Sequence, residues 1–208
     1  MNADLLQAIR DRLTRPPLPG KAVQREMEPS LCYGRHFGPP TCRARDAAVI
    51  ALLYPHAGDW YLPLTVRPAT LTAHAGQISL PGGASEPGET TAQAALRELA
   101  EELGVPASEV SLLGPLSPIY VFVSEYLVTP WVAAIDARPR FRPSADEVSE
   151  LLEVPLSRLL DPAARGSHTR RQRGIELSVP HFQWGRHRIW GATAMILTEL
   201  AAVMHEAG

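Results

Sequence analysis

The chain has 208 residues, a formal net charge of −2 and 45% hydrophobic residues, which suits one domain with a sizeable core. The near-neutral charge without a basic stripe argues against nucleic acid as a partner, and no apolar run reaches the ~18 residues that a membrane span requires. The start of the chain lacks the apolar core of a secretory signal. Cys32 and Cys42 form neither a disulfide framework nor a zinc pattern, so we expect two reduced thiols in a cytoplasmic protein.

Residues 1–44 are expected to form a helix and an arm ahead of the main domain. In residues 3–14 the apolar positions recur at helical spacing and predict a short amphipathic helix. Residues 15–43 contain many Pro and Gly residues and predict an extended arm with turns. This arm can wrap the domain or a second subunit of a homodimer, and the sequence leaves both arrangements open.

From residue 45 onward, strand and helix signals alternate and no repeat is present. The predicted elements are strands at 45–54, 60–67, 76–80, 110–114 and 119–134, a strand and short helix within 146–160, a hairpin at 176–190 that turns at Gly185, and a helix at 192–205. The interleaved order predicts that residues 45–208 form an α/β sandwich, with a mixed sheet between helices.

Residues 81–105 are the most informative stretch of the chain. They open with a predicted turn at Pro81-Gly82-Gly83 and continue into a helix that begins near residues 89–90 and ends at Gly104. Within the helix the apolar residues form one stripe.

Three carboxylates lie off that apolar stripe. Glu98, Glu101 and Glu102 stand at i, i+3 and i+4, so we expect them to converge on one face. Like charges so spaced disfavour an isolated helix by roughly 0.2–0.5 kcal/mol per pair. A divalent cation reverses this effect, because clustered hard oxygens bind Mg²⁺ or Mn²⁺. The alternative is a solvated acidic helix face.

The same stretch resembles the Nudix box at every defined position. Gly83 is followed by five residues, Glu89, seven residues, and then R-E-L-A-E-E-L-G-V from Arg97 to Val105. The resemblance implies a loop–helix–loop that binds the metal of a diphosphate substrate. It also implies hydrolysis of a nucleoside diphosphate linked to a second moiety.

The resemblance assigns roles by motif position. The implied metal ligands are Glu98, Glu101, Glu102 and a backbone carbonyl of Gly82 or Gly83. Glu101 or Glu102 would help to activate water. Arg97 would brace the loop by pairing with Glu89.

A second resemblance points to the substrate. Residues 64–83, LTVRPATLTAHAGQISLPGG, look like the extra motif of the coenzyme A pyrophosphatase branch of the family, and the likeness extends over about residues 45–204. Thr72 departs from that motif, since members often carry a basic residue there. The absence of a basic residue at position 72 removes one possible contact to the 3′-phosphate of coenzyme A.

Further candidates flank the box. Arg67 has a planar fork that can grip a phosphate, or it forms a surface ion pair. His74 can donate to a phosphate or pack within its loop, and the Gly82 backbone is a third candidate for substrate binding. Glu147 follows a Pro-rich loop and is either a general base beyond the box or a structural carboxylate.

These features predict a metal-dependent hydrolase of a small molecule. The expected substrate is coenzyme A, free, oxidised or acylated, and the expected products are 3′,5′-ADP and 4′-phosphopantetheine or its acyl form. One alternative is a Nudix hydrolase of ADP-ribose or another dinucleotide. The other is a non-catalytic, ligand-sensing Nudix domain, which the presence of every box glutamate disfavours.

Overall fold

Helices and strands alternate along the computed structural model, which describes residues 3–69, 76–172 and 174–207. The α-helices of this part are α1 (Ala3–Leu13), α2 (Lys21–Gln24), α3 (Thr91–Leu103), α4 (Leu156–Leu160) and α5 (Ala192–Ala207). Its strands are β1 (Arg45–His56), β2 (Asp59–Val66), β3 (Ile78–Ser79), β4 (Gly82–Ala84), β5 (Ser111–Pro115), β6 (Ile119–Val121), β7 (Tyr126–Ala134), β8 (Glu150–Pro155), β9 (Arg165–Gln172), β10 (Ile175–Trp184) and β11 (His187–Trp190). Short 3-10 turns lie at Arg25–Met27, Arg35–Phe37, Ala107–Glu109 and Pro162–Ala164.

The main sheet is built around β1. This strand pairs in parallel with β7 and antiparallel with β2 and β4. Strands β3 and β8 both pair antiparallel with β2, while β5 and β6 pair antiparallel with β7. The predicted mixed sheet, with its β1–β2 hairpin, is therefore confirmed.

Alternation along β1 creates the two layers of the core. Ile50, Leu52 and Tyr54 point towards α3 and are fully buried there. Ala51 and Leu53 point to the opposite face, where α1 and α5 contribute to a second buried cluster. Because successive side chains of a strand point to opposite faces, one buried strand supports helices on both sides. The predicted α/β sandwich is confirmed.

The ends of α3 follow from its capping residues. Thr90 precedes the helix, and its side chain accepts a hydrogen bond from the backbone N–H of Gln93 while the Gln93 side chain accepts one from the Thr90 N–H. This reciprocal pair satisfies two donors that the first turn cannot satisfy itself. Gly104 ends the helix in the left-handed conformation, with φ of 68°. The predicted helix boundaries are confirmed.

The turn predicted at Pro81-Gly82-Gly83 is wrong. Gly82–Ala84 forms β4, which pairs with Ala47–Val49 of β1. A Cβ atom on Gly82 would lie 2.2 Å from the carbonyl oxygen of Ala48. The glycine is thus needed for the close approach of two strands rather than for a turn.

Two other segments also differ from the prediction. The strand expected at 119–134 is divided into β6 and β7 by a turn in which Glu125 has a φ of 58°. The hairpin expected at 176–190 has an additional partner, because β9 pairs along β10. Strand β9 carries the polar sequence R-G-S-H-T-R-R-Q, which lacks the apolar alternation that identifies a strand.

The N-terminal segment packs on the main core. Helix α1 confirms the predicted amphipathic helix, and its Ile9 and Leu13 side chains are buried. Residues 15–43 are less extended than predicted, because they contain α2 and the turns at Arg25–Met27 and Arg35–Phe37. Within the described residues, we find no helix with the length and apolar character to cross a membrane.

A buried carboxylate fastens this segment to the last helix. Glu199 of α5 is fully buried and accepts hydrogen bonds from the Gly20 N–H at 3.0 Å and the Gln24 side-chain amide at 2.7 Å. The hydroxyl of Ser117 donates to the same carboxylate at 2.7 Å. Burial raises the pKa of Glu199, and these donors act in the opposite direction. Three distant segments therefore meet at one side chain.

Replacing Glu199 tests this junction. We expect Glu199→Ala to lower the free energy of unfolding by about 3 kcal/mol, because buried donors lose their acceptor and each costs about 1–3 kcal/mol. Urea denaturation measures the change. Glu206→Ala is the control on the same helix: its side chain is 45% exposed in an ion pair with Arg12, so its loss should stay below about 1 kcal/mol. Equal losses in the two variants would contradict the assignment.

Candidate metal centre

Three carboxylates converge where α3 passes residues 144–149. Glu98, Glu102 and Glu147 each place one carboxylate oxygen within 4.8 Å of the others. Glu98 and Glu102 lie one turn apart on α3, so their side chains share a face. Glu102 is buried, Glu98 is half-buried and Glu147 is exposed. The cluster is therefore closed on the core side and open to solvent at Glu147.

Backbone hydrogen bonds hold the segment that carries Glu147. The N–H groups of Arg142 and Ser144 donate to the last carbonyls of α3, at 2.8 Å in both cases. The Ser149 N–H donates at 2.9 Å to the carbonyl of Val66, at the end of β2. Because the last carbonyls of a helix lack partners within it, α3 provides a natural attachment for this loop. Glu147 is thereby held opposite the two helical carboxylates.

The electrostatics of Glu102 suit a cation. The pKa of Glu102 is raised to about 7, mainly by burial and also by the neighbouring carboxylates of Glu98 and Glu147. The Gly82 N–H, which donates a hydrogen bond to Glu102, and the charge of Arg67 act in the opposite direction. A divalent cation among these hard oxygens would offset both the burial and the repulsion. The residues present therefore fit Mg²⁺ or Mn²⁺.

Gly83 makes room for Glu98. A Cβ atom at position 83 would lie 2.3 Å from the Oε1 atom of Glu98. The carboxylate is also held by the Nη1 group of Arg97, which donates to it at 2.8 Å. Burial raises the pKa of Glu98, and Arg97 acts in the opposite direction. The glycine thus gives the carboxylate its place beside β4.

Arg97 connects the helix to the loop before it. Its Nε and Nη2 groups donate to both carboxylate oxygens of Glu89, each at 3.0 Å, and Nη2 also donates to the Ala84 carbonyl at 3.0 Å. A planar guanidinium can make such a forked contact and an ammonium cannot. The hydrogen bonds from Arg97 lower the pKa of Glu89. Arg97 therefore attaches both Ala84 and Glu89 of this region to the helix.

Glu101 lies apart from the cluster of described carboxylates. Its side chain is 54% exposed and accepts a hydrogen bond from the Nη1 group of Arg97 at 3.0 Å. Successive residues of a helix are rotated by about 100°, so Glu101 and Glu102 cannot point in one direction. The structure brings Glu98 and Glu102 together and directs Glu101 to the neighbouring face.

The flanking candidates lie at the end of β2. The Nε atom of Arg67 is buried, and no described residue accepts a hydrogen bond from it. His74 lies outside the described residues. Thr65 is a functional candidate that the sequence motifs do not identify. Its hydroxyl donates to Glu102 at 3.4 Å and lies 3.3 Å from the Ser79 hydroxyl. Alternation along β2 could have identified it, because Thr65 shares the face of Arg67.

The chain is similar to a known family along most of its length. It matches the NUDIX domain over residues 44–172. It is 35% identical to the uncharacterized Nudix hydrolase NudL of Pectobacterium atrosepticum over 196 residues, which cover 93% of each chain. It is 38% identical to NudL of Escherichia coli K12 over 164 residues, which cover 77% of this chain and 83% of that one.

A solved structure shares the fold. The MutT/nudix family protein from Enterococcus faecalis aligns with a TM-score of 0.52 over 80% of this chain and 64% of that one. The two sequences are 16% identical, so the similarity concerns the fold alone.

Gly83 provides a test of the cluster. We expect Gly83→Ala to weaken Mg²⁺ binding by about tenfold or more, about 1.4 kcal/mol, because the new methyl group displaces the Glu98 carboxylate. Stability should change by less than about 1 kcal/mol, since a flexible side chain can move away. Calorimetric titration and urea denaturation measure the two effects. Gly38→Ala is the control, because its Cβ would make only an ordinary contact of 3.7 Å. Unchanged Mg²⁺ binding in Gly83→Ala would remove Glu98 from the site.

Proposed function

We propose that this chain, which belongs to the Nudix hydrolase family, is a metal-dependent pyrophosphohydrolase. Its proposed reaction is cleavage of the diphosphate of coenzyme A or a derivative. The products would be 3′,5′-ADP and 4′-phosphopantetheine, or acyl-phosphopantetheine from an acyl substrate. The observation that carries the hydrolase assignment is the convergence of Glu98, Glu102 and Glu147 within 4.8 Å behind the box loop.

The three clustered carboxylates are the proposed ligands of Mg²⁺ or Mn²⁺. A backbone carbonyl of Gly82 or Gly83 is a further proposed ligand, because these glycines lie beside Glu102 and Glu98. When bound, the cation supplies stabilisation of the charge that develops on the phosphate oxygens and a lowered pKa for the attacking water.

The proposed general base is Glu147, which would accept the proton of the attacking water. It is the one carboxylate of this cluster on the solvent side, where water and substrate can approach. Glu102 is its alternative, because the family motif assigns the activation of water to Glu101 or Glu102. Glu101 was predicted as a ligand and base from the motif. Its side chain is 54% exposed and lies outside the carboxylate cluster, which makes it the weaker candidate.

Two basic residues are proposed to bind phosphate. Arg67 keeps a buried Nε–H without a described acceptor, and leaving a charged donor unpaired away from water is costly. A phosphate oxygen would satisfy it with a charge-assisted hydrogen bond. His74 is proposed only from its place in the motif. Arg97 and Glu89 would hold the loop around the site without touching substrate.

The choice of coenzyme A rests on the sequence. Residues 64–83 resemble the extra motif of the coenzyme A pyrophosphatase branch of the family. The carboxylate cluster explains the need for metal, but it does not determine which group is attached to the diphosphate of the substrate. ADP-ribose and other dinucleotides are therefore the substrates against which the proposal is tested.

Glutamine substitutions test the metal ligands. We expect Glu98→Gln and Glu102→Gln to lower kcat by at least about 1,000-fold in Mg²⁺, equivalent to about 4 kcal/mol, because each removes a charge that holds the cation. Circular dichroism should show an intact fold. Glu101→Gln is the matched control from the same helix and should lose much less activity. If Glu101→Gln loses as much activity as Glu102→Gln, Glu101 is a ligand of the cation, as the motif predicts. Activity of the parent in the absence of divalent metal would contradict the mechanism.

Competing substrates test the specificity. We expect kcat/KM for coenzyme A to exceed that for ADP-ribose by at least about tenfold, about 1.4 kcal/mol. Mass spectrometry of the products should show 3′,5′-ADP, which locates the cut at the diphosphate. Dephospho-coenzyme A serves as the matched control for the 3′-phosphate. Faster cleavage of ADP-ribose would contradict the substrate, and no Mg²⁺-dependent hydrolysis of any diphosphate would favour a ligand-sensing domain.

A further inference from the structure

We propose that Glu28, Cys32 and His36 form a second metal site, built by the N-terminal segment, that takes Zn²⁺ or a cation of similar softness. One ligand atom from each side chain lies within 4.8 Å of the other two. None of these residues belongs to the carboxylate cluster of the box. The site therefore stands apart from the proposed hydrolysis and can be tested separately.

His36 makes the kind of backbone hydrogen bond that metal-binding histidines often make. The side chain is 7% exposed, and its Nδ1 atom lies 3.0 Å from the carbonyl oxygen of Tyr120. Because a carbonyl only accepts hydrogen bonds, Nδ1 carries the hydrogen and Nε2 keeps its lone pair. Metal-binding histidines are commonly held in this way by a carbonyl or carboxylate on the second nitrogen. The ring also packs against Phe122, with a centroid distance of 4.8 Å.

Glu28 contributes an independent observation. Its Oε1 atom is buried, and no described residue donates a hydrogen bond to it. A buried carboxylate oxygen without a partner is costly, because it has lost its water and gained nothing in return. A cation bound between Glu28, Cys32 and His36 would supply the missing partner.

Cys32 determines the class of metal. Burial raises the pKa of its thiol, Glu28 raises it further, and Arg35 acts in the opposite direction. A donor set of one sulfur, one nitrogen and one oxygen suits Zn²⁺, whereas Mg²⁺ and Mn²⁺ favour sites made of oxygen alone. Three protein ligands leave one tetrahedral position for water. Carboxylate and thiolate together would balance the charge of the ion.

The chain path explains why the sequence pattern concealed the site. The spacing of Cys32 and Cys42 does not predict a zinc pair, but only Cys32 takes part in the proposed site. The segment folds back through turns. The Cys32 N–H donates to the carbonyl of Pro29, and the Arg35 N–H donates to the carbonyl of Cys32. The carbonyl that orients His36 belongs to β6, so a bound ion would attach the N-terminal segment to the main sheet.

Cobalt provides a probe of the thiolate. Full-length protein is freed of metal, supplied with excess Mg²⁺ to occupy the carboxylate cluster, and titrated with Co²⁺. We expect a thiolate-to-cobalt charge-transfer band that saturates at one equivalent in the parent and in Cys42→Ser, and that is absent in Cys32→Ser. No band in the parent, a band that survives Cys32→Ser, or one lost in Cys42→Ser would overturn the proposal.

Two further measurements separate metal binding from folding. Glu28→Gln keeps the size and polarity of the side chain, and should weaken Co²⁺ binding by at least the roughly 10–100-fold that losing even an outer-shell partner costs. Zn²⁺ should raise the Tm of the parent and of Cys42→Ser but not of Cys32→Ser, because only a folded site binds the ion. Cys32→Ser should retain Mg²⁺-dependent hydrolysis, and Glu102→Gln should retain the cobalt band. An unchanged Co²⁺ affinity in Glu28→Gln would remove that ligand from the site.

Discussion

Repulsion among the carboxylates of Glu98, Glu102 and Glu147 is the interaction on which the candidate active site depends. Left alone, these side chains would turn away from each other into water. The fold prevents this by burying one of them, by leaving room beside a glycine for the second, and by hydrogen-bonding the backbone around the third to the end of α3. The protein thus maintains an arrangement that disfavours its own folded state and that a divalent cation makes favourable. Local conflict of this kind is expected at functional sites.

The helix that carries Glu98 and Glu102 is held in place by packing in the hydrophobic core. Helix α3 is held by an apolar stripe packed on one face of β1, while α1 and α5 cover the other face. Arg97 then attaches the preceding loop to this helix through Glu89. Because the guanidinium also contacts Glu98 and Glu101, the same side chain that supports the loop also lies beside the carboxylates.

Local patterns predicted most elements, and the failures have physical causes. The ends of α3 were predictable because Thr90 and Gly104 act through neighbouring residues. The strand at Gly82 was missed because glycine also marks close backbone approach, which depends on a distant strand. The division between Glu101 and Glu102 follows from the rotation of about 100° per helical residue, which the prediction of three converging carboxylates did not take into account. The position of Glu147 depends on hydrogen bonds to segments far away in sequence, and β9 is paired through its backbone despite a polar sequence.

The hydrogen bonds of Glu199 also constrain the order in which the chain can assemble. Gly20 lies 179 residues before this carboxylate and Gln24 lies 175 residues before it. During synthesis, both donors leave the ribosome long before their acceptor exists. Contacts so distant in sequence form late, since the intervening loop must close first. The Gly20 N–H and the Gln24 amide therefore cannot make these hydrogen bonds until α5 has been synthesised.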